Sequence, residues 1–169
     1  MSKIPIYVDE HLLLLRKSRS DNPDETVEET LERHEKQLQK QIKKELGFTV
    51  PEENIYREVV SGGENIKDRP VFMKLLKRLE VGNIVAVWCI DPQRLSRSGM
   101  YGAGEVLEIF EVTNTKIATL QKTYDLKNPM DKKMLEMIMI QSAEYLNYTK
   151  ETMTRGRIAS VMEGKYIGS

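Results

Sequence analysis

Two short runs of almost unbroken apolar residues, Leu12–Leu15 and Ile84–Ile90, limit the folds open to this chain. A strand with one wet face alternates apolar and polar residues, so such runs predict strands covered on both faces. Ile55–Val60, of mixed character, and Lys116–Leu120, partly β-branched, are two further strand candidates. Between the runs lie helical patterns over Asp24–Leu46, Pro70–Glu80 and Tyr101–Val112. Strand and helix alternate, which predicts an α/β fold: a mainly parallel central sheet with helices on both faces. In that architecture chemistry gathers where strands end and loops begin.

The first helix is the most strongly marked. Asp24, Glu25, Glu28, Glu29 and Glu32 open it, and Lys36, Lys40, Lys43 and Lys44 close it, a charge order that complements the helix dipole. Val27, Leu31, Leu38, Ile42 and Leu46 form a sparse apolar stripe. Gly47 is placed to end the helix, and Pro70 suits the first turn of the next. The C-terminal pattern is different. Pro129 opens a helical stretch from Met130 to Arg157, in which Glu136 is the one polar residue of Met134–Ile140. A helix apolar almost all round must be covered on more than one side. Its own domain covers one side, and a partner chain is the economical cover for the other; a wholly internal helix is the alternative. Methionine tolerates repacking, which suits an interface that changes.

Composition excludes several classes. Among 169 residues, Lys+Arg and Asp+Glu both number 26, so no global basic charge holds the chain on DNA by itself. A lone cysteine, Cys89, excludes a disulfide framework and a cysteine-built zinc site, and is expected to be a small buried hydrophobe. His11 and His34 are too few for a histidine-rich metal cluster. His34, in mid-helix, is expected to be exposed or capping rather than a ligand or a base, and Trp88 is expected in the core. No apolar run approaches the ~20 residues of a membrane span. Leu12–Leu15 is too short for a signal sequence and follows His11 instead of a basic segment. The expectation is a soluble, reduced, cytoplasmic chain with no membrane partner.

Three clusters look out of place in a purely structural protein. Arg16-Lys17-Ser18 follows the first apolar run. Ser61-Gly62-Gly63 follows the second strand candidate and precedes Asp68-Arg69-Pro70. Arg94-Leu95-Ser96-Arg97 follows the run ending at Ile90. If the strands are parallel, all three loops open on one sheet edge and gather Arg16, Arg69, Arg94 and Arg97 around hydroxyls. Converging guanidiniums hold a phosphate and stabilise charge developing on it. Singly each cluster is weak: an arginine at a strand end is usually solvated or ion-paired, and a serine there usually caps or turns.

In this order, the clusters resemble the catalytic domain of serine recombinases, the resolvase/invertase family. The resemblance runs from about Leu12 to Arg157. Thr30-Leu31-Glu32-Arg33 fits the helix segment after the family's first loop, and Met130-Asp131-Lys132-Lys133-Met134 fits the start of its long dimerisation helix. The long insertion between Ser18 and Leu31 is more similar to the large members. So is the tail Gly156-Arg157-Ile158 through Gly168, which looks like a linker to a further domain. The resemblance implies residues 1–128 as a catalytic core, 129–157 as an oligomerisation helix, and 158–169 as the start of a linker to a DNA-binding region outside this chain.

Carried over residue by residue, the resemblance implies that Ser18 is the nucleophile. It attacks a DNA phosphodiester and leaves a 5′-phosphoserine link and a free 3′-hydroxyl, before strand exchange and rejoining. Arg16, Arg69, Arg94 and Arg97 match the arginines around the scissile phosphate, and Ser61 matches a serine near it. This chemistry calls for no cofactor and no metal: charge on the equatorial oxygens is met by fixed donors that stay protonated. The implied partners are double-stranded DNA attachment sites and further copies of the chain, dimer to tetramer. Three positions depart from the family pattern. Asp commonly stands directly before the Arg-Leu-Ser-Arg stretch, where this chain has Gln93 and carries Asp91 two positions earlier; both are supporting candidates. His34 stands where many members have glutamine, and Leu14 where many have tyrosine. Two other readings use fewer of these residues. One is a non-catalytic, receiver-like interaction module, which has no need of Arg16 beside Ser18. The other is a phosphate-binding hydrolase that releases its product to water.

Overall fold

In a computed structural model, the described residues are 10–17, 21–58, 70–95 and 100–139. Five strands form one sheet in the order β2-β1-β3-β4-β5. They are β1 (His11–Arg16), β2 (Ile55–Glu58), β3 (Ala86–Trp88), β4 (Lys116–Ala118) and β5 (Thr123–Tyr124). β1 pairs in parallel with β2 and β3, and β3 in parallel with β4; β5 closes the edge antiparallel to β4. The mainly parallel α/β sheet expected from the sequence is present.

All six residues of β1 are buried, and alternation of side chains along the strand divides them between two cores. Leu12 and Leu14 face a core with Phe72, Leu75 and Leu79 of α2 (Pro70–Val81), and Val106 and Phe110 of α3 (Met100–Val112). Leu135 and Met139, from a fourth helix α4 over 129–139, complete that side. Leu13 and Leu15 face the opposite core with Leu31, Leu38 and Ile42 of α1 (Val27–Leu46). This two-sided burial is why the β1 run is apolar throughout. Leu14, where the family often has tyrosine, is an ordinary core residue. Trp88 and Cys89 are fully buried, as expected, and the Trp88 indole N–H donates to His11 Nδ1 at 3.2 Å.

Local chemistry sets the helix ends. α1 begins at a capping box: Thr26 Oγ1 accepts from the Glu29 N–H at 3.1 Å, and Glu29 Oε1 accepts from the Thr26 N–H at 3.0 Å. The helix therefore starts at Val27, three residues later than the charge pattern suggested. It ends at Gly47, whose φ of 84° lies in the left-handed region that glycine adopts without strain. β5 was not anticipated. It exists because Thr119 folds the chain back: its N–H donates to the Lys122 carbonyl at 2.9 Å, and its hydroxyl accepts from the Lys122 N–H at 3.1 Å.

α4 is amphipathic over its described turns. Asp131, Leu135 and Met139 are buried, whereas Met130, Met134 and Met137 are exposed by 77%, 41% and 61%. The remainder of the expected 129–157 helix, Ile140 included, and the 158–169 segment lie outside the described residues.

Candidate active site

The parallel strands β1, β2 and β3 send their C-terminal ends to one sheet edge, and Arg16 is registered with Glu58 there. The segments leading to Ser18, Ser61 and Arg94 thus leave from the same edge. Arg16 is the last residue of β1; Asp91, Gln93 and Arg94 occupy a 3-10 turn (Pro92–Arg94) and its cap just beyond β3. Ser18, Ser61, Arg69 and Arg97 lie outside the described residues.

Arg16 and Arg94 are both buried, 1% and 4% exposed, contrary to the usual solvated arginine at a strand end. Their backbone and side chains interlock across 78 residues of sequence. Arg16 donates from Nε to the Arg94 carbonyl oxygen at 3.3 Å and from Nη2 to the Gln93 carbonyl oxygen at 3.2 Å. Arg94 returns a bond from Nη1 to the Arg16 carbonyl oxygen at 2.9 Å. Gln93 thus contributes its backbone to Arg16.

Each guanidinium also meets carboxylates. Arg16 Nε stands 3.9 Å from Glu58 Oε1, both side chains being 1% exposed. Arg94 lies between two acids: Nη1 donates to Asp21 Oδ2 at 2.6 Å and Nε donates to Asp91 Oδ2 at 3.1 Å. Asp91 is itself oriented, because its other oxygen accepts the Gln93 N–H at 3.0 Å and caps the turn. Burial works against charge on Arg94, but Asp21 and Asp91 more than offset it and hold the guanidinium pKa above its ordinary value.

His34 requires a correction. It is 1% exposed, not an exposed or capping residue, and its Nε2 stands 3.2 Å from Asp21 Oδ1. The apolar stripe of α1 explains why. Leu31 and Leu38 are two turns apart, and His34 occupies the missing turn between them on the buried face. An ionised carboxylate only accepts, so Nε2 carries the proton and Nδ1 the lone pair. That Nδ1 is buried and has no hydrogen-bond partner among the described residues. Burial pushes the imidazole pKa below its ordinary value, with Asp21 opposing the shift and Arg94 and Arg33 adding to it.

Sequence reasoning missed Asp21 and Glu58. A buried arginine demands a counter-charge, so one acid apiece was deducible once burial was known. Which acids supply it was not, since Asp21 and Arg94 are 73 residues apart. Among the described residues no group of His, Cys, Asp and Glu is placed to hold a metal ion, and no helix is long and apolar enough to cross a membrane.

The model of the resolvase N-terminal domain matches residues 12–166 of this chain. Among solved structures, the N-terminal catalytic domain of TP901-1 integrase is 19% identical with a TM-score of 0.55, over 83% of this chain and 98% of that one. The C-terminal catalytic domain of ISC1926 TnpA, an IS607-like serine recombinase, is 24% identical with a TM-score of 0.53, over 88% of this chain and 84% of that one. Both likenesses are of fold.

Proposed function

The chain belongs to the resolvase family, as the catalytic domain of a serine-type site-specific DNA recombinase, and from that premise we propose that Ser18 is its nucleophile. The Ser18 oxygen attacks the phosphorus of a DNA phosphodiester. The bond to the 3′-oxygen breaks, that oxygen leaves as the 3′-hydroxyl, and the phosphate remains on serine at the 5′-end. Attack by the 3′-hydroxyl of an exchanged strand reverses the step and frees Ser18, with no outside energy source. Arg16, Arg69, Arg94 and Arg97 surround the phosphate in this reading, with Ser61 beside it and Gln93 and Asp91 in support.

One observation carries the reading. Arg16 and Arg94, distant in sequence, meet at the strand-end edge where the chain runs on from Arg16 to Ser18. Guanidiniums fixed in advance stabilise charge on a phosphoryl group without reorganising at the moment of reaction. Their present bonds to carbonyls and carboxylates are what fixes them.

The finer points of assembly are proposals too. Residues 1–128 form the core, 129–157 an oligomerisation helix and 158–169 the start of a linker, in a cytoplasmic recombinase most similar to the large members. One nucleophile cuts one strand, and two double-stranded attachment sites present four strands, so two dimers meet as a tetramer. The exposed methionines of α4 support a contact between copies.

The experiment is to trap a covalent protein–DNA adduct on a cleavable attachment site. The wild-type protein forms the adduct, and Ser18→Ala, which removes one oxygen, forms none while still binding DNA. An adduct persisting in Ser18→Ala overturns the assignment, and a product released to water without an adduct indicates a hydrolase.

A further inference from the structure

Ser18 lies two residues after Arg16 and three before Asp21. Both flanks are bonded to one nitrogen of Arg94: Nη1 donates to the Arg16 carbonyl oxygen at 2.9 Å and to Asp21 Oδ2 at 2.6 Å. Arg94 Nη1 thereby ties the end of β1 to Asp21, five residues further along the sequence. At the Arg16 end the anchor is backbone, already ordered by the sheet. At the Asp21 end it is a side chain, and that side chain needs its own support.

His34 supplies it. Its Nε2–H holds Asp21 Oδ1 at 3.2 Å, with Arg33 Nη2 3.7 Å from the same oxygen, while Arg94 donates to Oδ2 at 2.6 Å and more weakly to Oδ1 at 3.5 Å, so the carboxylate bridges α1 to the turn after β3. The Asp21 side chain is 7% exposed and that of His34 2% exposed. At this depth a lost partner is not replaced by water. The charged groups facing His34 among the described residues are Asp21, from the segment after β1, Arg94, from the turn after β3, and Arg33, from its own helix.

We propose that Asp21, oriented by His34, is a positioning residue that holds the Arg94 guanidinium, and through it the end of β1 two residues before Ser18, in place at the sheet edge. The inference rests on the reading of Ser18 as nucleophile. Neither Asp21 nor His34 touches the reacting atoms; both act through Arg94. Protonation of His34 disfavours the bridge. A proton on Nδ1 would place a buried donor with no acceptor and a second cation facing Arg94, where both compete for one carboxylate. Glutamine at position 34 can donate the same hydrogen bond to Asp21 without titrating.

The test uses the full-length protein on a cleavable DNA site, reading the single-turnover cleavage rate against pH together with DNA affinity. A displacement of about 1 Å at a reacting group costs on the order of 10²-fold in rate, and Asp21→Asn and His34→Ala should lose about that much with DNA affinity unchanged. His34→Gln should keep the wild-type rate near neutrality and lose the fall in rate that the wild type shows as pH drops below the ordinary histidine value. Asp21→Asn cleaving at the wild-type rate overturns the inference. So does a His34→Gln profile that keeps the wild-type acid limb, a readout that survives if the asparagine variant does not fold. Ser18→Ala in the same assay separates the two readings. If it abolishes the adduct while Asp21→Asn is unimpaired, positioning is wrong and the nucleophile stands; if it leaves the adduct, both fall.

Discussion

Arg16 and Arg94 hold one another by the backbone, each guanidinium donating to the other's carbonyl oxygen, at 3.3 and 2.9 Å. The end of β1 and the turn after β3 are fixed by the very groups proposed to receive the phosphate. Placement and charge stabilisation are therefore inseparable at these positions.

Replacing Arg94 by lysine keeps the charge and loses the fork that reaches Arg16, Asp21 and Asp91 together. Cleavage should slow on the order of 10²–10³-fold, the range for losing one donor to a developing oxyanion. Arg94→Ala should also lower stability by about 3 kcal/mol, because it removes the buried guanidinium that neutralises Asp21 at 2.6 Å. Single-turnover cleavage and urea unfolding measure the two effects. A lysine variant as fast as wild type would remove Arg94 from the phosphate site.

Stability should depend on pH through His34. Its folded pKa lies below the unfolded value of about 6.5, so the unfolded chain takes up the proton first as pH falls. The contribution is complete above about pH 6.5 and is lost as pH drops from there towards the folded value. His34→Gln removes this dependence. Urea midpoints at pH 7.5 and 5.5 should separate for wild type more than for the glutamine variant, and equal separations would refute the assignment.

The exposed stripe of Met130, Met134 and Met137 predicts self-association. A long apolar side chain left bare forgoes about 1.5–3 kcal/mol of burial. Met134→Glu combined with Met137→Glu should reduce the assembly seen by light scattering and leave the fold unchanged, since neither side chain is buried. A folded double variant that keeps the parental mass and still recombines would mean that copies meet elsewhere.

Thr26→Ala removes half of the capping box at the start of α1. It should lower stability by about 1 kcal/mol, read as a fall in the urea midpoint. The cleavage pH profile should keep its shape, because His34 and Asp21 retain their bond. A changed profile would show that helix entry and the site are coupled.

The sheet was legible because β1 and β3 are buried on both sides, and only apolar residues satisfy that position. The hairpin at Thr119 was not, since one hydroxyl accepting two N–H groups gives no periodic signal. In the candidate site, the sequence marks Arg16 and Arg94 by their place after apolar runs, and Asp91 and Gln93 by their neighbourhood. Asp21 escaped because its meaning comes from a partner 73 residues away. His34 was misread because a histidine in mid-helix was weighed as a surface residue, although the gap it fills between Leu31 and Leu38 is visible in the stripe.

Among the described residues the sheet ends at β5, only two residues long, beyond a β4 of three. An unpaired strand invites another chain to continue the ladder, and a rung this short offers little to continue. Along the described edge, growth by backbone pairing has little template. On that side contact between copies falls to side chains, which can let go and re-form without unravelling a hydrogen-bond ladder. Under the mechanism proposed above, which keeps cut DNA ends on Ser18, contacts of that kind let copies rearrange without polymerising.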